Sequence, residues 1–217
     1  MRKRDIISAS FREKRGSFLR EFITRENVRT ILDIGGRSDY WKSLGEEFIR
    51  KRSLEITLLN PALSEMEGAK VHFAEVVGDG RCVEAPSASF DLVHSNSTIE
   101  HLGAISEMRL FASEVSRLGR CYYVQTPNFW FPIEPHFPTA PAIHWMPKAL
   151  RTYILATFPV SYAGRLNFEA ARNKVNEVRL LSSHDMKALF PDAVIRRERF
   201  FGFTKSLIAV RATVPAS

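Results

Sequence analysis

Short hydrophobic runs alternate along the chain with stretches of helical spacing, and this pattern predicts alternating strands and helices. Ile31, Leu32 and Ile34 form an apolar run that ends at a glycine pair, and residues 41–50 then follow a helical pattern. The same criteria predict four further strands at 54–59, 71–74, 90–94 and 121–125, and a helix at 99–118. Strands separated by helices imply a mostly parallel sheet with right-handed crossovers and helices on both faces.

The two ends of the chain complete this architecture. Ile7, Phe11, Phe18 and Phe22 recur at helical spacing and predict a helix within residues 1–25. Towards the C terminus we predict a helix at 148–158, a second at 185–190 with Ser182 and Ser183 as its caps, and alternating strands at 194–200 and 206–212. The prediction is therefore a single doubly wound α/β domain over residues 1–217, with a seven-stranded, mostly parallel sheet that ends in an antiparallel pair.

One segment interrupts the alternation, and we call residues 127–147 the insert. It contains six prolines among many aromatic residues, which excludes a regular central strand. Because it follows the fifth predicted strand, we expect it to cover the carboxyl edge of the sheet as a lid over a ligand.

Composition narrows the class of protein only moderately. Apolar residues make up 45% of the 217 residues, and no run approaches the roughly 18 apolar residues of a membrane span. The formal charge of +7 favours an anionic partner. The basic residues cluster in four separate stretches, at 2–4, 12–20, 50–52 and 196–199, and no nucleic-acid-binding module is recognisable. We expect a cytoplasmic protein without a nucleic-acid partner.

The glycine turn after the first strand is the leading candidate for a binding site. Gly35 and Gly36 permit positive φ or close approach by a ligand, and Asp33 is a carboxylate inside an apolar run. In a doubly wound sheet, nucleotide-like ligands lie in the crevice at this edge. No G-x-G-x-x-G fingerprint and no phosphate loop of the G-x-x-x-x-G-K-[ST] type occurs.

Three stretches of the chain together carry a family resemblance. They are the acidic residue and glycine turn at Asp33 to Gly36, the turn Gly78-Asp79-Gly80, and the run from Phe90 to Leu102. At this spacing they resemble the motifs of class I S-adenosylmethionine-dependent methyltransferases, in the small-molecule branch.

The resemblance implies S-adenosylmethionine as cofactor and a set of residues to bind it. It places the amino-acid end of the cofactor at Asp33, Gly35 and Gly36, the ribose at Asn60, and the adenine at Asp79 and Gly80. His94, Ser95 and Asn96 would leave the sheet at the cleft. Three positions depart from the family pattern. Arg37 and Asp39 stand where the second and third glycines are usual, and Asn60 stands where an acid is usual.

Candidates for catalysis follow the cofactor motifs. His136 in the insert is the first candidate for a general base because imidazole titrates near neutrality, with Glu134 to orient it or to bind acceptor hydroxyls. Glu100 and His101 are the next candidates. A packed or helix-capping role is the alternative for each histidine. We predict no metal site, since no close set of His, Cys and Asp has ligand spacing.

Three functions remain open at this stage. The first is methyl transfer to a small or carrier-bound acceptor, with O-methylation of a sugar or polysaccharide precursor preferred. The second is a lipid or quinone methyltransferase at a membrane surface, which Phe129, Trp130, Phe131 and Trp145 could contact. The third is a catalytically silent relative that acts as a binding module, which the departures at Arg37, Asp39 and Asn60 favour.

Overall fold

The computed structural model describes residues 3–62, 72–134, 137, 139–160 and 164–213, with the side chains of residues 3–12 excepted. Its helices are α1 (Lys3–Arg25), α2 (Ser38–Leu44), α3 (Glu46–Arg52), α4 (Ile105–Leu118), α5 (Lys148–Thr157), α6 (Phe168–Glu177) and α7 (Ser183–Leu189). Short 3₁₀ turns span Ile99–His101 and Ile143–Trp145. The strands are β1 (Thr30–Ile34), β2 (Glu55–Asn60), β3 (Phe73–Val77), β4 (Phe90–Asn96), β5 (Gly119–Pro127), β6 (Val194–Phe200) and β7 (Phe203–Arg211).

The strands form one seven-stranded sheet in the order β3-β2-β1-β4-β5-β7-β6. β1 pairs in parallel with β2 and β4, and β2 pairs in parallel with β3. β6 and β7 form an antiparallel pair with an irregularity between Glu198 and Arg199. The predicted fold class, a mostly parallel sheet with a terminal antiparallel pair, is therefore confirmed.

The chain divides into two compact units, which are described separately. The first comprises Met1–Ser95, Glu114–Tyr123 and Ala212–Ser217, and the second comprises Asn96–Ser113 and Val124–Arg211. In the first unit, β1 is buried from Ile31 to Ile34, which explains its continuous apolar pattern. Asp91 on β4 secures the start of β1, because its Oδ2 accepts hydrogen bonds from the backbone N–H groups of Arg29 and Thr30.

In the second unit, part of the insert packs against two helices. Phe137 and Ile143 from the insert form a buried cluster with Leu155 of α5 and with Ala171 and Val175 of α6. The start of the insert is held by hydrogen bonds to neighbouring backbone, from Asn128 to Lys205 and from Phe129 to Leu181. These aromatic residues therefore act partly as core, as expected for proline-spaced aromatics.

Several predicted elements have different bounds in the structure. The helix predicted at 41–50 is two helices, because Gly45 between α2 and α3 has φ of +115°, which interrupts the helical path. The helix predicted at 99–118 is a 3₁₀ turn followed by α4, with Gly103 at φ +71° between them. β4 continues to Asn96 instead of ending at His94, and β3 spans Phe73–Val77. The sequence did not predict α6.

The caps of α7 agree better with the sequence. Ser182 is the N-cap, and its side chain accepts from the backbone N–H of Asp185 while the Asp185 carboxylate accepts from the Ser182 backbone N–H. This reciprocal pair is a capping box. Ser183 is the first residue of the helix rather than a second cap.

Candidate functional site

Three neighbouring strands of the first unit end at one edge, and hydrogen bonds join their ends. The Gly35 N–H donates to the Leu59 carbonyl at 2.8 Å, and the Asn60 side-chain Nδ2 donates to the Gly36 carbonyl at 3.0 Å. The Gly78 N–H in turn donates to the Asn60 carbonyl at 2.9 Å. The structure therefore brings together the glycine turn, Asn60 and the start of the Gly78-Asp79-Gly80 turn.

The two glycines of the turn are required for different reasons. Gly35 has φ of 74°, a conformation that side chains with a Cβ rarely adopt. A Cβ on Gly36 would lie 1.8 Å from Oδ2 of Asp33, well inside van der Waals contact. The predicted positive φ is confirmed at Gly35, and the close approach at Gly36 is to a side chain of the protein itself.

The buried carboxylate of Asp33 has two partners within the first unit. Asp33 is 1% exposed, its Oδ2 accepts from the indole Nε1 of Trp41 at 2.6 Å, and its Oδ1 lies 2.7 Å from Nδ1 of His94. These contacts satisfy both carboxylate oxygens without a ligand. Asp33 thus links Trp41 and His94 close beside Gly36. A direct contact of Asp33 with a cofactor stays a prediction.

His94 is the buried residue beside this carboxylate that the sequence did not single out as a site residue. Its ring is fully buried and lies between the rings of Tyr40 and Tyr123, with centroid distances of 5.1 and 5.4 Å. Nε2 of His94 has no hydrogen-bond partner among the described residues. The parallel register, which sets His94 beside Asp33, is the feature that could have indicated the pair.

The remaining cofactor candidates of the first unit differ in exposure. The Asp79 carboxylate is about half exposed, and hydrogen bonds from the Arg81 side chain, and next from its backbone N–H, hold the pKa of Asp79 below its ordinary value. Gly80 belongs to the same tight turn, which the Cys82 N–H closes on the Asp79 carbonyl. The Ser95 hydroxyl is buried and donates to the Ile34 carbonyl at 2.9 Å, so it braces β4 against β1.

The catalytic candidates and Asn96 belong to the second unit or lie outside the described residues. His136, the first candidate for a general base, is among the residues that the structure does not describe. Glu100 is buried, and its Oε2 accepts from the Thr126 hydroxyl at 3.0 Å. His101 ends the first 3₁₀ turn, and Asn96 ends β4; both are partly buried.

Glu134 lines a cavity of about 350 Å³ within the second unit. The insert supplies part of the wall, and α5, α6 and the start of α7 supply much of the rest. The lining residues are Gly103, Phe129, Glu134, Phe137, His144, Lys148, Arg151, Lys174, Val175, Asn176, Val178, Arg179, Leu180 and Asp185.

Two cavity residues, His144 and Arg151, have pKa values below their ordinary ones. His144 is 7% exposed, and its Nε2 lies 2.8 Å from the Phe129 carbonyl. Burial lowers the pKa of His144 and Arg151 lowers it further, although the Phe129 carbonyl and Glu134 oppose the shift. Burial also lowers the pKa of Arg151, again against the effect of Glu134. The sequence placed His144 in the insert without a role and did not indicate Arg151.

Neither a metal cluster nor a membrane span is found in the part of the chain that the structure describes. There, no group of three or more His, Cys, Asp or Glu side chains could hold a metal ion. No helix among these residues has both the length and the apolar character needed to cross a bilayer.

The strand order, together with a glycine turn at the end of β1, defines the Rossmann-like fold of class I methyltransferases, and solved structures share it. PH0226 from Pyrococcus horikoshii is 13% identical, covers 94% of this chain and 90% of its own, and has a TM-score of 0.56. The 1,6-didemethyltoxoflavin N1-methyltransferase of Burkholderia thailandensis, solved with 1,6-didemethyltoxoflavin and S-adenosylhomocysteine, is 12% identical over 97% of this chain and 82% of its own, with a TM-score of 0.55.

Human N-acetylserotonin methyltransferase, solved with S-adenosylmethionine, is 11% identical over 91% of this chain and 52% of its own, with a TM-score of 0.50. The chain spans only 45% to 56% of the length of several such neighbours. No protein-family model and no curated protein sequence matches the chain. At these identities the likeness establishes the fold, which confirms the fold that the family resemblance implied.

Proposed function

We propose that the chain is an S-adenosylmethionine-dependent methyltransferase that acts on a small molecule. The observation that carries the proposal is the glycine turn of Gly35 and Gly36, joined to Asn60 at the carboxyl edge of the sheet. In open α/β sheets this edge is where nucleotide-like ligands bind. Two proteins of the same fold were solved with S-adenosylhomocysteine or S-adenosylmethionine.

The residues present at this edge fit an adenosine group. The Asn60 Nδ2 is held by the Gly36 carbonyl, so its Oδ1 can accept from a ribose hydroxyl. Asp79 has a lowered pKa and a half-exposed carboxylate, which can accept from an adenine amino group beside the Gly80 N–H. In this proposal Asp33 acts on the cofactor through the shape of the turn.

S-adenosylmethionine, when bound, supplies a methyl group activated by its sulfonium. The chain must bind and align the acceptor and, for a hydroxyl acceptor, remove its proton. We retain His136, His101 and Glu134 as candidates for that step; Glu134 is buried in the cavity wall. The preferred acceptor remains a hydroxyl of a sugar or polysaccharide precursor, free or carrier-linked, and the insert remains the proposed lid.

Calorimetric titration with S-adenosylhomocysteine tests the proposal. We expect the parent to bind and Asn60→Leu to lose about 1–3 kcal/mol of binding free energy, because the variant loses hydrogen bonds at the ribose and in the turn. Asn173→Leu, on the exposed face of α6, is the matched control and should bind like the parent. A folded parent that binds neither S-adenosylhomocysteine nor S-adenosylmethionine would overturn the proposal and favour the silent binding module.

A membrane-associated acceptor is the second candidate, because the insert exposes large aromatic side chains. Trp130 is 64% exposed and Trp145 is 45% exposed, with ring centroids 6.4 Å apart. Paired exposed indoles suit a membrane–water interface. Pelleting with anionic liposomes tests this candidate: it requires that the parent pellets and that Trp130→Ala pellets less. Absence of the parent from the pellet would overturn the membrane-associated candidate.

A further inference from the structure

The cavity of the second unit has an excess of positive charge. Four cationic side chains line it, from Lys148, Arg151, Lys174 and Arg179, against two carboxylates, from Glu134 and Asp185. A cavity of about 350 Å³ is large enough for a small molecule. The ligand that suits this lining is therefore small and negatively charged.

Several of these charges already have partners. The Asp185 carboxylate accepts from the Ser182 N–H and hydroxyl at 2.8 and 2.6 Å, as part of the cap of α7. Lys174 pairs with Glu177 at 3.0 Å, and Lys148 donates to the Asn176 amide oxygen at 2.9 Å. The charge that remains to be matched is chiefly that of Lys148 and Arg151, because the Asn176 amide is neutral and the charge of Arg179 already lowers the pKa of Asp185.

Arg151 is the most informative of these cations because it is partly buried. Its Nε is buried and has no hydrogen-bond partner among the described residues. Burial lowers the pKa of Arg151, and the attraction of Glu134 does not cancel that effect. An oxyanion beside Arg151 would supply the missing acceptor and would add a second negative charge to that of Glu134.

His144 indicates that the ligand carries a second polar group, a hydrogen-bond donor. The Phe129 carbonyl can only accept, so the His144 Nε2 near it carries the hydrogen and Nδ1 is the bare nitrogen when the ring is neutral. Nδ1 has no hydrogen-bond partner among the described residues, although His144 is more than nine-tenths buried. A hydroxyl or amine of the ligand would satisfy it.

We propose that this cavity binds a small organic anion, a carboxylate or a phosphate ester, whose charged group contacts Arg151 and whose hydroxyl or amine donates to His144. Glu134 in the same wall limits the positive charge, so one anionic group is expected rather than a polyanion. That this anion is the methyl acceptor rests on the proposed function. The anion site itself does not require a cofactor.

Calorimetric titrations at constant ionic strength test the charged contact. Inorganic phosphate and acetate are titrated separately into the cofactor-free parent, Arg151→Met and Arg172→Met. Arg172→Met removes the same charge from an exposed position of α6 that does not line the cavity. We expect the parent and Arg172→Met to bind at least one anion with equal affinity, and Arg151→Met to bind at least tenfold more weakly.

Two further measurements keep the test decisive. Arg151→Lys should retain most of the binding, which separates loss of the charge from loss of the fold. Glycolate, which adds a hydroxyl to acetate, should bind the parent more tightly than acetate, and His144→Phe should lose that preference. The anion site is wrong if the parent binds neither anion, or if a folded Arg151→Met binds like the parent. The role of His144 is wrong if His144→Phe keeps the glycolate preference.

A separate titration with S-adenosylhomocysteine distinguishes this proposal from the proposed function. Cofactor binding without anion binding would overturn the anion site alone. Anion binding without cofactor binding would overturn the methyltransferase assignment alone.

Discussion

Substituting Gly36 by alanine should destabilise the protein, because the new side chain would clash with the buried carboxylate of Asp33. The new Cβ would lie 1.8 Å from Oδ2 of Asp33, whereas real Cβ atoms essentially never come within 3.0 Å of such an atom. One of the two must therefore move by at least 1.2 Å, the difference between these distances. The backbone at Gly36 does not have positive φ, so this clash is the main penalty.

The expected cost follows from the hydrogen bonds that such a shift disturbs. If Asp33 moves by 1.2 Å directly away from Trp41, the 2.6 Å hydrogen bond becomes 3.8 Å, which is too long. The 2.7 Å contact with His94 is disturbed by the same movement. Hydrogen bonds to charged groups contribute about 1.5–3 kcal/mol each, so we expect Gly36→Ala to lower the free energy of unfolding by roughly 2–4 kcal/mol.

Urea unfolding followed by far-ultraviolet circular dichroism measures this cost. The control is Gly16→Ala within α1, where the added Cβ meets the ends of two flexible side chains, Leu44 at 3.2 Å and Arg20 at 3.9 Å. That variant should be neutral or up to about 1 kcal/mol more stable, because alanine favours the helix.

A double-mutant cycle tests the cause directly. Asp33→Ala alone should be costly, since Trp41 and His94 lose their acceptor. Once the carboxylate is gone, adding Gly36→Ala should cost less than about 1 kcal/mol, so the two costs should be clearly less than additive. Additive costs, or a Gly36→Ala variant as stable as the parent, would refute the argument.

Three further predictions concern other polar contacts. Asn60→Asp should lower stability by about 1 kcal/mol in urea unfolding and weaken S-adenosylhomocysteine binding, because a carboxylate cannot donate to the Gly36 carbonyl. Ser182→Ala should lower thermal stability by about 1 kcal/mol, since it removes half of the capping box with Asp185. Asp91→Ala should cost about 1–2 kcal/mol at pH 7, and the cost should shrink in acid.

The pH dependence of the Asp91 prediction follows from its pKa. Burial works to raise this pKa, but hydrogen bonds from the Thr30 and Arg29 backbone and the charge of Arg120 outweigh it, so the folded pKa lies below the ordinary aspartate value of 3.8. The stabilisation is therefore present above about pH 3.8 and is lost as the pH falls through the folded value. A cost that stays constant down to the lowest pH at which the parent folds would contradict this reasoning.

The other two predictions have their own controls. Ser183→Ala, one residue beyond the cap, should cost less than Ser182→Ala, and equal costs would contradict the capping argument. For the turn, unchanged stability of Asn60→Asp would mean that its hydrogen bond to the Gly36 carbonyl contributes nothing measurable.

The local sequence pattern was sufficient to predict features that depend only on neighbouring residues along the chain. The apolar run of β1, the need for glycine at position 35 and the cap at Ser182 all agree with the structure. The apolar stripe of α6 was too narrow for the sequence to predict this helix, because only Ala171 and Val175 of that helix are buried. Its helical pattern is therefore too weak to stand out from the polar residues around it.

By itself, the sequence determined the alternation of strands and helices and the edge of the sheet at which Gly35, Gly36 and Asn60 would meet. This was possible because strand and helix periods are local, and because parallel strands present their carboxyl ends at one edge. Only the tertiary structure decided that Asp33 would be held by Trp41 and His94, and that Glu134, His144 and Arg151 would line one cavity. The reason is that strand register and helix packing choose the partners of a buried polar group, and residues distant in sequence carry no local mark of that choice.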